Sequence, residues 1–408
     1  VRVLFLPVAL PSHYYAMVPL AWALRLAGHE VRVAGRPSLL EAIGASGLTA
    51  LPVSGSEEAL PGIRESVEEL RRETGKGLTD FGTPEAMPPE VERGFRLLRR
   101  AALVDTTAEM AGDLVGFART WRPDLVVGDP VLPAGALVAG AAGVPLVHHL
   151  WGPLPPTAGH WPGAGLPVEQ WPAPLHALFE RYGVPVRASY AAATIDPCPP
   201  GLGTVPVPRR LGMRHIPYNG PGSTPEWLCE PAERPRVCVS WSMSHTTTSG
   251  ERASPAAAVA EALCGTGAEV VATVKASDRE GFGPVPEGVR VVEELPLQLV
   301  IPSCAAAVNH GGTGTVLTVA ACGVPQVVLP LDPVHTVNAD WLAAAGAGVR
   351  HASRPVEPDR IAESVAGMLA DESWRQAAET VREQIAAQPG PAEVVRKLES
   401  LAAERRSS

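Results

Sequence analysis

The stretch "NHGGTGTVLTVAACGVPQVVLPLD", residues 309–332, decides the fold. An apolar strand ends at His310, a glycine-rich turn follows, a helix-like run starts near Thr313, and a second apolar strand covers 324–331. Strand, tight turn, helix and strand in that order form a βαβ unit of a parallel sheet. Gly311, Gly312 and Gly314 let the backbone approach a ligand with no Cβ in the way. The first turn of the helix offers unpaired N–H groups and a positive dipole end, and Thr313 and Thr315 add hydroxyls. A phosphate or diphosphate suits such a turn; the competing reading is a bare strand-to-helix turn with nothing bound.

Two other phosphate-binding designs fit this loop poorly. A dinucleotide fold would place Asp332 on a ribose, but Leu317 follows where G-x-G-x-x-G wants its third glycine, and His310 is a side chain that fingerprint does not need. The loop also comes late in the chain, whereas the fingerprint normally opens its fold. A P-loop kinase is excluded, since no G-K-[ST] occurs anywhere.

Working outward, the same alternation recurs. Residues 1–9 ("VRVLFLPVA") read as a strand, 17–28 as a helix and 29–35 as a strand; strands resume at 123–129 ("PDLVVGD") and 144–150 ("VPLVHHL"). Residues 55–95 are polar and charged and read as a mobile insertion with one helix. Prolines crowd 151–235 and interrupt regular structure, with a linker expected near 218–234. A second series of strands runs through 236–241, 268–274, 289–295, 305–312, 324–331 and 348–350. The fold class is therefore α/β, with two Rossmann-like domains facing each other across a cleft. The expected division is 1–218, 219–390 and a C-terminal helix over 391–408 that packs back on the first domain.

A chain of 408 residues with 46% hydrophobic and 19% charged residues can bury two cores without staples. A net charge of -9 argues against a nucleic-acid partner. The six cysteines form no CxxC pair and no zinc spacing, so free thiols in a reducing compartment are expected and no metal is. No run reaches the ~18 apolar residues of a membrane span, and the N-terminus reads as a strand and not as a signal peptide. The expected location is the cytoplasm.

His13, in "PSHYYAMVPL", falls between the first strand and the first helix, in the crevice where such sheets bind ligands. A histidine there can take a proton near neutral pH if an acidic neighbour orients its ring. On its own such a histidine is more often structural or merely exposed; its pairing with an anion-holding loop across the cleft favours the functional reading.

Together, "SHYYAMVPLAWALRLAGHEVRVAGRP", "WRPDLVVGD", "RVCVSWSMS", "LPLQLVIPSCAAAVNHGGTGTVLTVAACGVPQVVLPL" and "PGPAEVVRKLESL" resemble the antibiotic glycosyltransferases of the GT-B fold, which decorate macrolides and other polyketides with deoxysugars. The resemblance runs over nearly the whole chain. It implies inverting, metal-independent transfer from a dTDP-deoxysugar to a hydroxyl of a hydrophobic aglycone. By the same resemblance His13 would be the general base, oriented by an aspartate of a downstream helix: Asp105, with Asp113 in reserve. Leu295 and Pro296 would flank the nucleotide base, and the loop after 240 would lie near the phosphates or sugar.

Departures from the pattern are informative. Where relatives using glucose-like donors carry Asp-Gln, this chain has Val334 and His335, which suits a sugar lacking a hydroxyl. Ser242 stands where the family usually has glycine. His148 and His149 either touch the acceptor or form a satisfied surface pair, and Trp151, with Trp161 and Trp171, either walls the acceptor cavity or belongs to the core. Some members that transfer aminosugars need a helper protein; a helper and a homodimer are left open by the sequence. So are a non-catalytic binding protein of the same fold, a sugar-nucleotide epimerase and an NAD(P)-binding oxidoreductase.

Overall fold

The computed structural model describes residues 1–56, 65, 68, 69, 71, 72, 75, 89–154, 161–203, 205–241, 254–331, 333–353 and 355–406. Most of the insertion expected over 55–95 lies outside them, as do Ser242 and Asp332.

Two parallel sheets organise the chain. The first contains β1 (Arg2–Leu6), β2 (Glu30–Gly35), β3 (Ala50–Pro52), β4 (Leu125–Gly128), β5 (Leu146–His149), β6 (Ala191–Asp196) and β7 (Arg210–Gly212), in the order β3-β2-β1-β4-β5-β6-β7. The second contains β8 (Arg236–Ser240), β9 (Glu269–Val274), β10 (Val289–Glu293), β11 (Ala306–Asn309), β12 (Gln326–Val328) and β13 (Gly348–Arg350), in the order β10-β9-β8-β11-β12-β13. Helices cover both faces, so the central strands run apolar without alternation: Val3 to Leu6, Leu125 to Val127 and Val237 to Val239 are all fully buried. Each order reverses once, between β1 and β4 and between β8 and β11. The crevice beyond the carboxyl ends of those pairs is where a sheet of this kind receives ligands.

Where the structure differs from the expectation, local chemistry explains it. The first helix spans Pro11–Leu26 and so begins six residues before the expected start at 17. Proline at the first helical position brings a preset φ and lacks only an N–H that the helix would not have used. His13 therefore sits in the first turn, its N–H bonded to Leu10 O at 3.0 Å. The proline-rich 151–235 stretch holds β6, β7 and the helix Ala173–Arg181. Its strand "AAATID" is alanine-rich, a weak β signal.

The helix Pro391–Arg406 returns to the first sheet. Val394, Val395, Leu398 and Leu401 belong to the core around β1 and the helix Pro11–Leu26, and His29 Nε2 meets Glu399 Oε1 at 2.8 Å. The connection between the sheets is fastened to the second one: Asn219 N–H donates to Gln298 Oε1 (2.8 Å), and Gln298 N–H returns a bond to Asn219 Oδ1 (3.2 Å).

Leu398 is 1% exposed, so Leu398→Ala is expected to destabilise the unit built on the first sheet by about 2–5 kcal/mol, read as an earlier urea transition. An unmoved transition would show that this helix contributes nothing to that core.

Candidate active site

His13 Nδ1 lies 2.6 Å from Asp129 Oδ2, with the aspartate side chain wholly buried. Asp129 follows β4 directly. Its N–H bonds Leu6 O (3.1 Å), and its second oxygen accepts the Val131 N–H at 3.0 Å. The carboxylate is thus held from two sides and fixes the imidazole tautomer, leaving Nε2 as the nitrogen that can accept a proton. This corrects the expected partner. Asp105 is exposed on the helix Pro89–Trp121. Asp113 is occupied by the Ser54 N–H at 2.7 Å, which holds its carboxyl below the usual range.

Two more histidines approach Asp129 from the end of β5. The β4–β5 register pairs Gly128 with His148, so one residue further His149 runs abreast of Asp129. Successive strand residues point to opposite faces, so His148 and His149 do not share one wall of the cleft. Burial pushes both down to about 4. His149 Nδ1 faces Leu150 O at 2.9 Å and carries the proton there. Both rings are neutral at pH 7, which leaves His13 as the partner for the Asp129 charge.

Trp151 stacks on the His13 ring, with centroids 4.2 Å apart and planes 28° apart. It steadies the imidazole directly. Trp161 and Trp171 belong instead to the hydrophobic core of the first sheet, and Trp171 Nε1 is satisfied by Leu166 O. For these two the core-packing reading holds. The residue after Trp151 reaches the other lip: a Cβ on Gly152 would fall 2.5 Å from Thr313 Oγ1.

The glycine loop joins β11 to the helix Thr313–Ala321, whose N-cap Gly312 supplies no side-chain cap. The first-turn N–H groups are therefore open to an anion. Gly311 has φ +92°, and a Cβ there would lie 2.9 Å from His335 Cβ, so only glycine fits. A Cβ on Gly312 would lie 2.6 Å from His310 Nε2, whereas one on Gly314 would meet nothing within 4 Å. His310 is buried between Trp241 and His335, with centroids at 5.9 and 5.1 Å. Val334 and His335, both half-buried, open the helix Pro333–Ala344 beside this loop. Thr315 is half-buried in the first turn. Of the two residues expected to flank a base, Pro296 is covered by linker residue Gly222, whereas Leu295 keeps exposed surface.

Three buried amides behind the loop escaped the sequence reading. Gln326 Nε2 donates to Val316 O (3.0 Å), and Asn309 Nδ2 donates to Gln326 Oε1 (2.9 Å). Asn309 Oδ1 accepts the Gly311 N–H (2.8 Å), and Gly311 O accepts Asn338 Nδ2 at 2.8 Å. A backbone acceptor at one point and a backbone donor at another fix which way each amide points. The loop is held on both sides of Gly311 before any ligand arrives. One cue was present in the sequence: Gln326 and Asn309 are polar interruptions in otherwise apolar runs. Among the described residues no group of three His, Cys, Asp or Glu side chains is placed to hold a metal, and no helix is long and apolar enough to cross a membrane.

The chain matches the model described as "Erythromycin biosynthesis protein CIII-like, N-terminal domain" over residues 22–242 and its C-terminal counterpart over 257–401. It belongs to this family of antibiotic glycosyltransferases. It is 36% identical over 432 residues to the 3-alpha-mycarosylerythronolide B desosaminyl transferase of Saccharopolyspora erythraea, with 99% of each chain covered. To the 10-deoxymethynolide desosaminyltransferase of Streptomyces venezuelae it is 35% identical, covering 99% of this chain and 98% of that one. Among solved structures, glycosyltransferase VinC in complex with dTDP superposes with TM-score 0.77 at 31% identity, covering 99% of this chain and 100% of the other. Spinosyn rhamnosyltransferase SpnG complexed with thymidine diphosphate gives 0.73 at 27%, covering 98% and 100%. The enzyme is a GT-B glycosyltransferase.

The buried histidines of this glycosyltransferase make its stability depend on pH with a definite sign. His148 and His149 titrate near 4 when folded and near 6.5 when unfolded, so between those values the unfolded chain binds more protons. Their contribution is complete above about pH 6.5 and is lost as pH falls toward 4, at up to about 1.4 kcal/mol per pH unit for each. Urea titrations are expected to show this slope, and His149→Gln to make it shallower. An equal slope in the variant would show that His149 is protonated in the folded state.

Proposed function

We propose that the enzyme moves a deoxysugar from its dTDP conjugate to a hydroxyl of a polyketide-type aglycone, inverting the anomeric carbon without a metal. The observation that carries this reading is the short span from base to anion loop: Trp151 lies on His13, and the next residue abuts Thr313.

In the proposed step the acceptor hydroxyl gives its proton to His13 Nε2 as its oxygen attacks the anomeric carbon. Asp129 holds the Nδ1 proton and balances the imidazolium that forms. The bond from that carbon to the diphosphate breaks on the opposite face, and a single displacement inverts the centre. Charge growing on the diphosphate is met by the first-turn N–H groups of the helix Thr313–Ala321, by the Thr313 and Thr315 hydroxyls and by His310. Those donors are fixed in advance, which is why a bridging cation is not required.

The choice of donor is supported by the dTDP and thymidine diphosphate in the two solved neighbours and by the desosaminyl transfer named for two relatives. Val334 adds a local argument. It occupies, half-buried, the start of the helix beside the anion loop, where an apolar side chain tolerates a sugar lacking a hydroxyl. The acceptors in the relatives' names, 3-alpha-mycarosylerythronolide B and 10-deoxymethynolide, support a polyketide aglycone.

Calorimetric titration of dTDP, UDP, NAD and NADP is expected to show preference for dTDP, and His310→Ala to weaken that binding at least about tenfold. Preference for NAD, or turnover of UDP-glucose above dTDP-deoxysugars, would overturn the donor assignment.

Kinetics separate the two aspartates. Both His13→Ala and Asp129→Asn are expected to lower kcat/KM at least about a hundredfold, while Asp105→Asn stays within about twofold. The reverse order of the two aspartates would return the orienting role to the helix.

A further inference from the structure

Asn338, in the helix Pro333–Ala344, is completely buried. Its Nδ2 makes two bonds, to Gly311 O at 2.8 Å and to Thr313 Oγ1 at 3.0 Å. The Gly311 carbonyl can only accept, so the amide cannot be turned round, and its NH2 faces Thr313 as well. Thr313 Oγ1 is therefore an acceptor toward Asn338, and its own proton must point elsewhere. The opposite end of the amide, Oδ1, is buried with no hydrogen-bond partner. An unpartnered buried oxygen is costly, so the placement is explained by what the NH2 end does. Gly152 packs against the Thr313 side chain, and a Cβ there would collide with the hydroxyl at 2.5 Å.

We propose that Asn338 is a positioning residue that sets the polarity of Thr313, forcing its hydroxyl to donate to the departing diphosphate. The inference rests on the reading of residues 310–315 as the diphosphate site and adds what that reading does not contain, the residue behind the loop that decides which way a hydroxyl points. A threonine free to rotate would spend part of its time donating to the protein and would have to reorient as charge develops. Locked by Asn338, it presents its proton before the bond breaks.

The test is a double-mutant cycle on the full-length enzyme, read by calorimetric titration with dTDP and by steady-state kinetics. Thr313→Ala is expected to weaken dTDP at least about tenfold, and Thr313→Ser, which keeps the hydroxyl, to stay within about threefold. Asn338→Ala is expected to cost at least as much as Thr313→Ala, since it also releases the Gly311 carbonyl, and the double variant to lose clearly less than the sum of the two. In Asn338→Ala, kcat should fall by a larger factor than KM rises, since the hydrogen bond strengthens as charge reaches the leaving group. Additive losses, with Asn338→Ala costing as much without the Thr313 hydroxyl as with it, would overturn the inference and leave the nucleotide site standing. Wild type that binds no dTDP would overturn both. Thermal melting without ligand checks the fold; if Asn338→Ala fails it, Asn338→Ser carries the cycle with the same expected non-additivity.

Discussion

In a parallel sheet, the connections leaving neighbouring strands on either side of a reversal run to opposite faces, so the carboxyl ends of those two strands open onto an uncovered crevice. That constraint is used twice in this chain. In the first sheet it sets the turn after β1, which leads into His13, beside the turn after β4, which begins with Asp129. In the second it sets the end of β8 beside the end of β11, from which the glycine loop starts. The His13–Asp129 pair and the glycine loop thus come from the same topological feature in two copies. The separation of 116 positions between His13 and Asp129 is bridged by the register Phe5↔Val127 and Leu6↔Gly128.

Position alone does not make the crevice reactive; preorganisation does. The amides of Gln326, Asn309 and Asn338 tie the glycine loop to the next strand, to its own helix and to the following helix. Each such bond contributes only about 0.5–1.5 kcal/mol of net stability. Their larger consequence is that the loop need not reorganise when negative charge appears on the ligand, and electrostatic stabilisation is worth most when the dipoles are already aimed. Neutral His148 and His149 serve the other lip in a related way. By remaining uncharged they leave His13 as the ring bonded to the Asp129 carboxylate.

Much of this was legible in the sequence, for reasons tied to particular residues. Gly311 and Gly312 announced close backbone approach because a Cβ would clash at both, whereas one on Gly314 would meet nothing. The apolar strands could be counted because central parallel strands are buried on both faces and run without alternation. Asp129 was missed although its strand, "PDLVVGD", was in plain view: adjacency of strand ends is a property of sheet order, and a one-dimensional reading does not fix that order. The resemblance pointed to a helix, and Asp105 faces solvent there. His148 and His149 read as a pair because they are neighbours in sequence, whereas a strand separates neighbours onto opposite faces. Asn338 carried no cue of its own, since a buried amide and an exposed one look alike in sequence.

The path of the chain adds a last constraint on how the two lips meet. The backbone crosses between the sheets twice, once in the connection after β7 and once just before the helix Pro391–Arg406, and the crossings are bonded to each other by Arg214 N–H to Pro389 O at 2.8 Å. Beside them Gln388 Nε2 donates to Cys198 O at 2.9 Å. The two crossings therefore run side by side and are tied to each other. Further along the connection, the reciprocal bonds between Asn219 and Gln298 hold it to the segment that follows Leu295 and Pro296. Any movement of one sheet against the other therefore loads the bonds at the crossings, whereas the His13–Asp129 pair lies within the first sheet's unit and the amides behind the glycine loop lie within the second's.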